Sequence, residues 1–189
     1  MAGALSSLKI VEIGEMASAP YASKLMADMG AEVIKVERPG VGDHARVRGP
    51  FPGGQPHPEK SGLFLYLNTS KKSVTLDPAT VSGAEIFKRL VRDADILLEN
   101  HPPGHMESLG LGYEVLRALN PRLIVTSVTP FGQSGPYAGW KGSDLIEWAM
   151  SLTGYNTPTL INDSATENPL RAPGRQADMM GATTAAAAT

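Results

Sequence analysis

Residues 8–43 read LKIVEIGEMASAPYASKLMADMGAEVIKVERPGVGD, and they indicate the fold class of this chain. They begin with a short apolar run at 8–13, which is typical of a buried strand. Apolar side chains then recur at helical spacing as far as Gly30, where a helix can end in the left-handed conformation. A second apolar run at 32–37 predicts the next strand. The order strand, helix, strand predicts a βαβ unit, which binds its ligand at the carboxyl ends of its strands.

The rest of the chain continues this alternation. A helix is expected to begin at Asp77-Pro78, with Asp77 as its cap, and another to end at Asn120-Pro121. The Pro- and Gly-rich stretch 39–62 has no periodicity and is expected to be a long functional loop. We therefore predict an α/β fold with an open, mostly parallel, Rossmann-like sheet and flanking helices. Three further apolar runs predict strands near 73–77, 95–99 and 122–128.

Composition narrows the possible functions. The chain has 189 residues, 42% of them hydrophobic, and can bury a core as one domain. A formal net charge of −2 with well-mixed signs predicts no binding to nucleic acid or a membrane surface. No cysteine is present, which excludes disulfides and thiolate catalysis, and the four histidines lack ligand spacing, so no metal is expected. The N-terminus does not resemble a secretory signal, and we expect a cytoplasmic protein.

Five segments of the chain form a recognisable series. They are GAEVIKVERPGVGD (30–43), LNTSKKSVTLD (67–77), ADILLENHPPG (94–104), LGLGYEVLRALNPRLIVTSVTPFGQSGP (109–136) and GRQADMMG (174–181). In this order they resemble CoA-transferase family III, the group named after the carnitine and bile-acid CoA-transferases. The resemblance implies that residues 1–189 are the N-terminal part of a large CoA-binding α/β domain. That domain would be incomplete here, and the smaller second domain of the family would be absent from this chain.

Asp178 precedes an alanine-rich segment that is expected to be a helix. As an ordinary structural residue it would be the N-cap. A carboxylate at the positive end of a helix is also favoured in its ionised form, and an ionised carboxylate can attack a thioester. The resemblance implies that Asp178 is the catalytic residue, the covalent nucleophile. The family has glycine before this aspartate, whereas this chain has Ala177.

Arg38 follows a predicted strand, at a position where doubly wound sheets bind nucleotide phosphate or ribose. On structural grounds alone it is an ordinary exposed arginine, and Lys71-Lys72 an ordinary solvated turn. The resemblance implies that Arg38 holds the adenosine-phosphate part of CoA, that the two lysines contact its phosphates, and that Asn100-His101 lines its channel. We assign CoA binding to Arg38, Lys71, Lys72, Asn100, His101, Lys141 and Met16.

Ser143 separates two activities within the superfamily. Ser143 or Asp144 would ordinarily cap a helix, with Glu147 completing a capping box. The related α-methylacyl-CoA racemases have a catalytic histidine where this chain has Ser143, and serine does not shuttle protons near neutral pH as histidine does. The resemblance therefore favours CoA transfer from an acyl-CoA to a free carboxylic acid, through an aspartyl mixed anhydride and an aspartyl-CoA thioester.

Several alternatives stay open at this point. They are a racemase of the same superfamily, a catalytically silent fragment or assembly subunit, and a dinucleotide-dependent dehydrogenase. The first turn of the βαβ unit lacks the GxGxxG pattern, which disfavours the dehydrogenase. No cofactor is expected, because CoA is a substrate. The resemblance also implies an interlocked homodimer or association with a further chain.

Overall fold

The strands form one parallel sheet, as predicted. The computed structural model describes residues 3–157, 163, 165–167, 170 and 172–189. Within this part of the chain every strand of the sheet is parallel to its neighbours, in the order β3-β2-β1-β4-β5. This order reverses direction beside β1, which creates a topological switch point between β1 and β4. The strands are Lys9–Ile13 (β1), Glu32–Glu37 (β2), Lys72–Thr75 (β3), Ile96–Glu99 (β4) and Ile124–Ser127 (β5).

Helices cover both faces of the sheet. The predicted loop 39–62 contains two short 3₁₀ helices, His44–Val47 and Pro52–Gly54. The α-helices of the described residues are Ser18–Asp28 (α1), Gly62–Leu67 (α2), Val81–Arg92 (α3), His105–Ser108 (α4), Tyr113–Leu119 (α5), Asp144–Met150 (α6), Leu152–Tyr155 (α7) and Gln176–Ala188 (α8).

Alternate residues of each strand supply two separate cores. Val11 of β1 faces α3 and α5, where Phe87 is fully buried. Ile10 faces the opposite side, where α1 and α8 lie against each other. Ala22 of α1 and Ala182 of α8 are both fully buried, and their small side chains allow the two helices to approach closely. This packing holds the first turn of α8 close to that of α1.

Helix α3 begins later than predicted. Its cap is Thr80, whose hydroxyl accepts a hydrogen bond from the Gly83 amide at 3.0 Å. Asp77 instead turns the chain by accepting from the amide of Ala79 at 3.0 Å. A Cβ at Gly83 would lie 1.8 Å from the Asp77 carbonyl oxygen, so only glycine allows this close approach. The prediction of Asp77 as the cap was wrong because a tight turn precedes the helix.

The described helices are all too short or too polar to cross a membrane.

Candidate active site

Two neighbouring cavities open at the carboxyl ends of the strands. One, of about 680 Å³, lies beside the ends of β1, β2 and β4, and we call it the strand-end cavity. The other, of about 600 Å³, lies between the first turns of α1, α6 and α8, and we call it the helix-start cavity. Met16 and Asn100 line both cavities and form the boundary between them. Of the sequence-predicted residues, the strand-end cavity also contains Arg38 and His101, and the helix-start cavity contains Asp178.

Asn100 holds the turn between β1 and α1. Its side-chain oxygen accepts from the Glu15 amide at 3.0 Å, and its nitrogen donates to the Glu15 carbonyl at 2.7 Å and to the Ser18 hydroxyl at 2.9 Å. A Cβ at Gly14 would lie 2.6 Å from the Cβ of Ala19, so glycine is required for this close packing. The amide of Asn100 therefore fixes the wall between the two cavities.

Met16 has a left-handed backbone, with φ of 64°, which is uncommon for a residue with a side chain. Its amide donates to the Asp43 carboxylate at 2.9 Å, which holds this conformation. The buried Asp43 also accepts from the Ala45 amide at 2.7 Å and contacts the Lys35 ammonium at 2.8 Å. The loop after β2 therefore shapes the turn after β1, at the point where both cavities meet.

Arg38 lies at the rim of the strand-end cavity, with 51% of its side chain exposed. Its guanidinium contacts a carboxylate oxygen of Glu15 at 2.9 Å, and His44 contacts the other oxygen. An exposed ion pair of this kind is weak, so an incoming phosphate can take its place. The position suits the predicted role of Arg38 in binding an anionic nucleotide.

His101 follows β4 and lines the strand-end cavity. Burial, reinforced by the neighbouring His105, lowers the pKa of His101 to about 4. The two imidazole rings lie 4.4 Å apart between centroids. A neutral His101 offers a flat apolar face rather than a charge, which favours contact with a planar or aliphatic part of a ligand over contact with a phosphate.

Asp178 is the third residue of α8 and lies in its first turn. The N-cap is Arg175, so the interpretation of Asp178 as a cap was wrong. The carboxylate of Asp178 forms an ion pair with the Arg175 guanidinium, with 2.7 Å between Oδ2 and Nε. The helix terminus and the guanidinium both favour an ionised carboxylate. Asp178 lines the helix-start cavity, where such a carboxylate can meet an activated acyl group.

The side chain of the N-cap residue, Arg175, makes no capping hydrogen bond to the start of α8, and Asp144 of α6 provides such bonds instead. One of its carboxylate oxygens accepts from the Ala177 amide at 3.0 Å and from the Asp178 amide at 3.4 Å. Ser143 caps α6, where its hydroxyl accepts from the Ile146 amide at 3.5 Å. The start of α6 thus positions the backbone of the residue that carries the candidate nucleophile.

Glu147 also lines the helix-start cavity, one turn along α6. Burial, together with the negative charges of Asp178 and Asp144, raises the pKa of Glu147 to about 7, against a smaller opposing effect of Arg175. At neutral pH a large fraction of Glu147 is therefore uncharged. The predicted role of Glu147 in a capping box is wrong, because α6 begins at Asp144 and Glu147 lies one residue too far along for the Ser143 cap.

Lys71 lies away from both cavities, with only 2% of its side chain exposed. Its ammonium contacts the buried Glu12 carboxylate at 2.7 Å and donates to the Pro20 carbonyl at 2.7 Å. Burial, and to a lesser degree the positive charge of Lys35, lowers the pKa of Lys71 to about 8, although Glu12 opposes this. Lys71 therefore belongs to a buried ionic group that joins β1, β2 and α1. The prediction that it shares one groove with Arg38 is not met.

Lys72 and Lys141 are likewise outside the cavities. Lys72 begins β3 and pairs with Glu32, the first residue of β2, at 2.6 Å. This pair lies at the amino ends of the strands, away from the cavities. Lys141 is exposed in the loop before α6, although Gly142 and Ser143 beside it line the helix-start cavity. Three of the predicted CoA-binding residues therefore rest on the sequence resemblance alone: Lys71, Lys72 and Lys141.

Sequence reasoning missed the roles of Arg175, Glu147 and Asp43. The order of residues around Asp178 contained a signal for Arg175, because a side chain three positions earlier can reach an aspartate in a first helical turn. Glu147 and Asp43 gave no comparable signal, since their partners lie on other elements. No cluster of three or more potential metal ligands occurs among the described residues.

Comparison with known proteins gives these residues a context. Residues 5–189 match the model of CoA-transferase family III. A succinate–glutarate CoA-transferase of Agrobacterium fabrum is 42% identical over 149 residues, which are 78% of this chain and 37% of that protein. The BbsE subunit of succinyl-CoA:(R)-benzylsuccinate CoA-transferase of Thauera aromatica is 40% identical over 176 residues, or 93% of this chain and 41% of that protein. The chain thus spans less than half the length of these relatives.

Solved structures agree with the sequence comparison. The crystal structure of Rv3272 from M. tuberculosis superposes with a TM-score of 0.84 at 34% identity, covering 99% of this chain and 50% of that one. A CAIB/BAIF family protein from Brucella suis gives a TM-score of 0.84 at 33% identity, covering 100% of this chain and 48% of that one. Together with the match over residues 5–189, these likenesses show that the chain belongs to CoA-transferase family III.

Proposed function

We propose that this chain supplies the CoA groove and the nucleophile of an enzyme that transfers CoA from an acyl-CoA to a free carboxylic acid. One observation carries the proposal. The Asp178 carboxylate, held by Arg175, faces a cavity that meets the strand-end cavity at Met16 and Asn100. A CoA thioester spanning both would have its nucleotide near Arg38 and its acyl group near Asp178. The names of several relatives include succinate or glutarate, which supports a dicarboxylic acid as acceptor.

The proposed reaction has two covalent stages. Asp178 attacks the thioester carbonyl, which forms an aspartyl mixed anhydride and releases CoA as a thiolate. The thiolate then attacks the aspartyl carbonyl, which gives an aspartyl-CoA thioester and frees the donor acid. The acceptor acid reverses these steps. Two covalent stages thus replace one difficult direct displacement.

Racemisation is the second candidate, because the family resemblance includes α-methylacyl-CoA racemases. It would require a residue that removes the α-proton of the acyl group. Ser143 occupies the position of the racemase histidine, and its hydroxyl is engaged in capping α6. Glu147 is the group in this cavity whose pKa of about 7 suits proton transfer, so a test for racemisation belongs in the same experiment.

Chemical trapping tests the proposal directly. The full-length protein is incubated with succinyl-CoA, treated with hydroxylamine and digested for mass spectrometry. We expect a hydroxamate on Asp178 and on no other carboxyl group. A chiral 2-methylacyl-CoA provides the second arm, in which exchange of the α-hydrogen with solvent deuterium is measured. Absence of the hydroxamate together with deuterium uptake would replace CoA transfer by racemisation, and absence of both would support the silent-subunit alternative.

Assembly as an interlocked homodimer stays a prediction from the family resemblance. Sedimentation velocity of the full-length protein checks it, with a monomer at micromolar concentration as the contradicting result.

A further inference from the structure

Arg175 has an unusual place beside the candidate nucleophile. Its backbone is left-handed, with φ of 58° and ψ of 49°, and it directly precedes the first residue of α8. Such a conformation is rare for arginine, and strained residues of this kind cluster at functional sites. The guanidinium reaches Asp178 through Nε and also lines the helix-start cavity. Its side chain is 30% exposed, against 12% for Asp178.

The charges around this cavity are unequal. Among its described lining residues the charged or ionisable side chains are Glu147, Asp178 and Arg175. Asp144, behind the cavity wall, adds a third carboxyl group that accepts hydrogen bonds from the first amides of α8. Arg175 is therefore the one cation of the described lining, yet the proposed reaction requires a second carboxylate, that of the acceptor acid, to approach Asp178.

We propose that the Arg175 guanidinium binds two carboxylates in turn, Asp178 in the free enzyme and the acceptor acid once Asp178 is esterified to CoA. This inference rests on the proposed function and assigns a substrate-binding residue for its second half. In the free enzyme the ion pair with Asp178 occupies Arg175. Conversion of Asp178 into a neutral thioester removes that anion, and the guanidinium, whose side chain is 30% exposed at the cavity, can then pair with the next available carboxylate.

The chemistry of the second half balances with this exchange. A carboxylate oxygen of the acceptor forms a bond to the aspartyl carbonyl carbon, the C–S bond breaks, and CoA leaves as a thiolate. The thiolate then attacks the acceptor's carbonyl carbon in the mixed anhydride, and the Asp178 carboxylate leaves and pairs with Arg175 again. No proton, oxidant or further reactant is consumed. The affinity for acceptor acid thus exists only while the covalent CoA intermediate exists, so that a free acid does not occupy the resting enzyme.

Measuring the two half-reactions separately distinguishes binding of the acceptor acid by Arg175 from a role in positioning Asp178 alone. In the full-length Arg175→Gln protein we expect the KM for glutarate to rise at least tenfold, with a smaller loss in the rate of Asp178 hydroxamate formation from succinyl-CoA alone. The glutarate KM of Arg175→Lys should lie between those of Arg175→Gln and the wild type, because lysine keeps the charge but not the forked geometry. Millimolar guanidinium ion should lower the glutarate KM of Arg175→Ala. Arg92→Gln, in the last turn of α3, is the matched control and should change neither half-reaction.

A binding measurement tests the same exchange without turnover. Asp178→Asn neutralises the nucleophile, so it should bind glutarate at least fivefold more tightly than the wild type by calorimetry, and Arg175→Gln added to it should abolish the gain. Equal losses in both half-reactions, or no gain in glutarate binding by Asp178→Asn, would overturn the role of Arg175. Failure of the wild type to form any hydroxamate would instead overturn the proposed function.

Discussion

Two groups of charged side chains differ in their ratio of positive to negative charges and in their exposure to solvent. We call them the buried group and the cavity group. The first consists of Glu12, Lys35, Asp43 and Lys71, two anions and two cations that are almost completely buried. The second consists of Asp144, Glu147, Arg175 and Asp178, that is, three carboxyl groups and one guanidinium in or beside the wall of a cavity. The two groups contain the same kinds of side chain, but the first holds the backbone in place and the second lies where a substrate can bind.

The buried group fixes the backbone. Lys35 donates to the Gly14 carbonyl at 2.9 Å, and through Asp43 and Lys71 the same network reaches the Met16 amide and the Pro20 carbonyl. Burial alone would raise the pKa of Glu12, but Lys35 and Lys71 outweigh it and lower the pKa to about 2. Burial likewise opposes the charge of Lys35, yet Glu12 and Asp43 raise its pKa. Glu12 and Lys35 therefore stay charged at neutral pH.

The cavity group has fewer positive than negative side chains, so an added anion can compete for its one guanidinium. Burial, together with the excess of carboxyl groups, keeps Glu147 partly neutral. Arg175 is left as the cation for which anions compete. A balanced ionic group stabilises one arrangement, whereas an unbalanced one can exchange partners when a substrate arrives. Substitutions in the two groups should therefore affect different properties.

Asp178→Asn should have the largest effect on activity. We expect CoA transfer to fall by about 10³-fold or more, because an amide cannot replace the attacking carboxylate. The thermal midpoint should change by only a few degrees, since the residue lies at a cavity and the change is isosteric. Initial rates and a thermal melt of the same sample measure both. Near wild-type turnover would remove Asp178 from the mechanism.

Lys35→Met should have the opposite profile. Removal of one partner leaves buried carboxylates without compensation and should lower the free energy of unfolding by about 3–5 kcal/mol. Urea unfolding of the variant measures this. The control is Lys24→Met, which removes the more exposed pair with Asp28 and should change stability by about 0–1 kcal/mol. Similar small changes in both variants would contradict the structural importance of the buried group.

Arg38→Ala extends the comparison to the strand-end cavity. Loss of a charge-assisted phosphate contact should weaken CoA binding by about 1–3 kcal/mol. Lys72→Ala, at the amino end of β3, should change the free energy of CoA binding by less than about 0.5 kcal/mol. Calorimetric titration with CoA decides between the geometry and the sequence resemblance. A larger effect at Lys72 than at Arg38 would mean that CoA follows a different path over the sheet.

Glu147→Gln should have the smallest effect on activity, and that effect should appear only in alkaline solution. The fold raises the pKa of Glu147 from 4.5 to about 7, so it favours the neutral form. Wild-type stability should therefore fall as the pH rises from about 4.5 through 7, and glutamine should remove this decline. At about pH 8.5 the variant should also show a glutarate KM about two- to fivefold lower than the wild type, because one negative charge is absent. Parallel stability curves for the two proteins would contradict the raised pKa.

The strands were predictable because their signal is local. Buried parallel strands need continuous apolar runs, and each predicted run matches a strand of the sheet to within a few residues. Arg38, Asn100 and His101 were also predictable as neighbours, since the carboxyl ends of parallel strands meet at one edge. The start of α3 was not, because the Asp77 turn and the close approach of Gly83 depend on backbone packing.

The α/β class, the family resemblance and the position of Asp178 near a helix start follow from the amino-acid order, because apolar periodicity and short motifs depend on residues close together in the chain. Which charged side chains form ion pairs follows from the packing of the folded chain instead. Lys71 looked like a phosphate ligand but lies against Glu12, 59 positions away in the chain, and Asp144 caps a helix that begins 32 positions later. The strength of an ionic contact depends on distance and burial, and both are set by the packing of α1, α6 and α8 rather than by the order of residues.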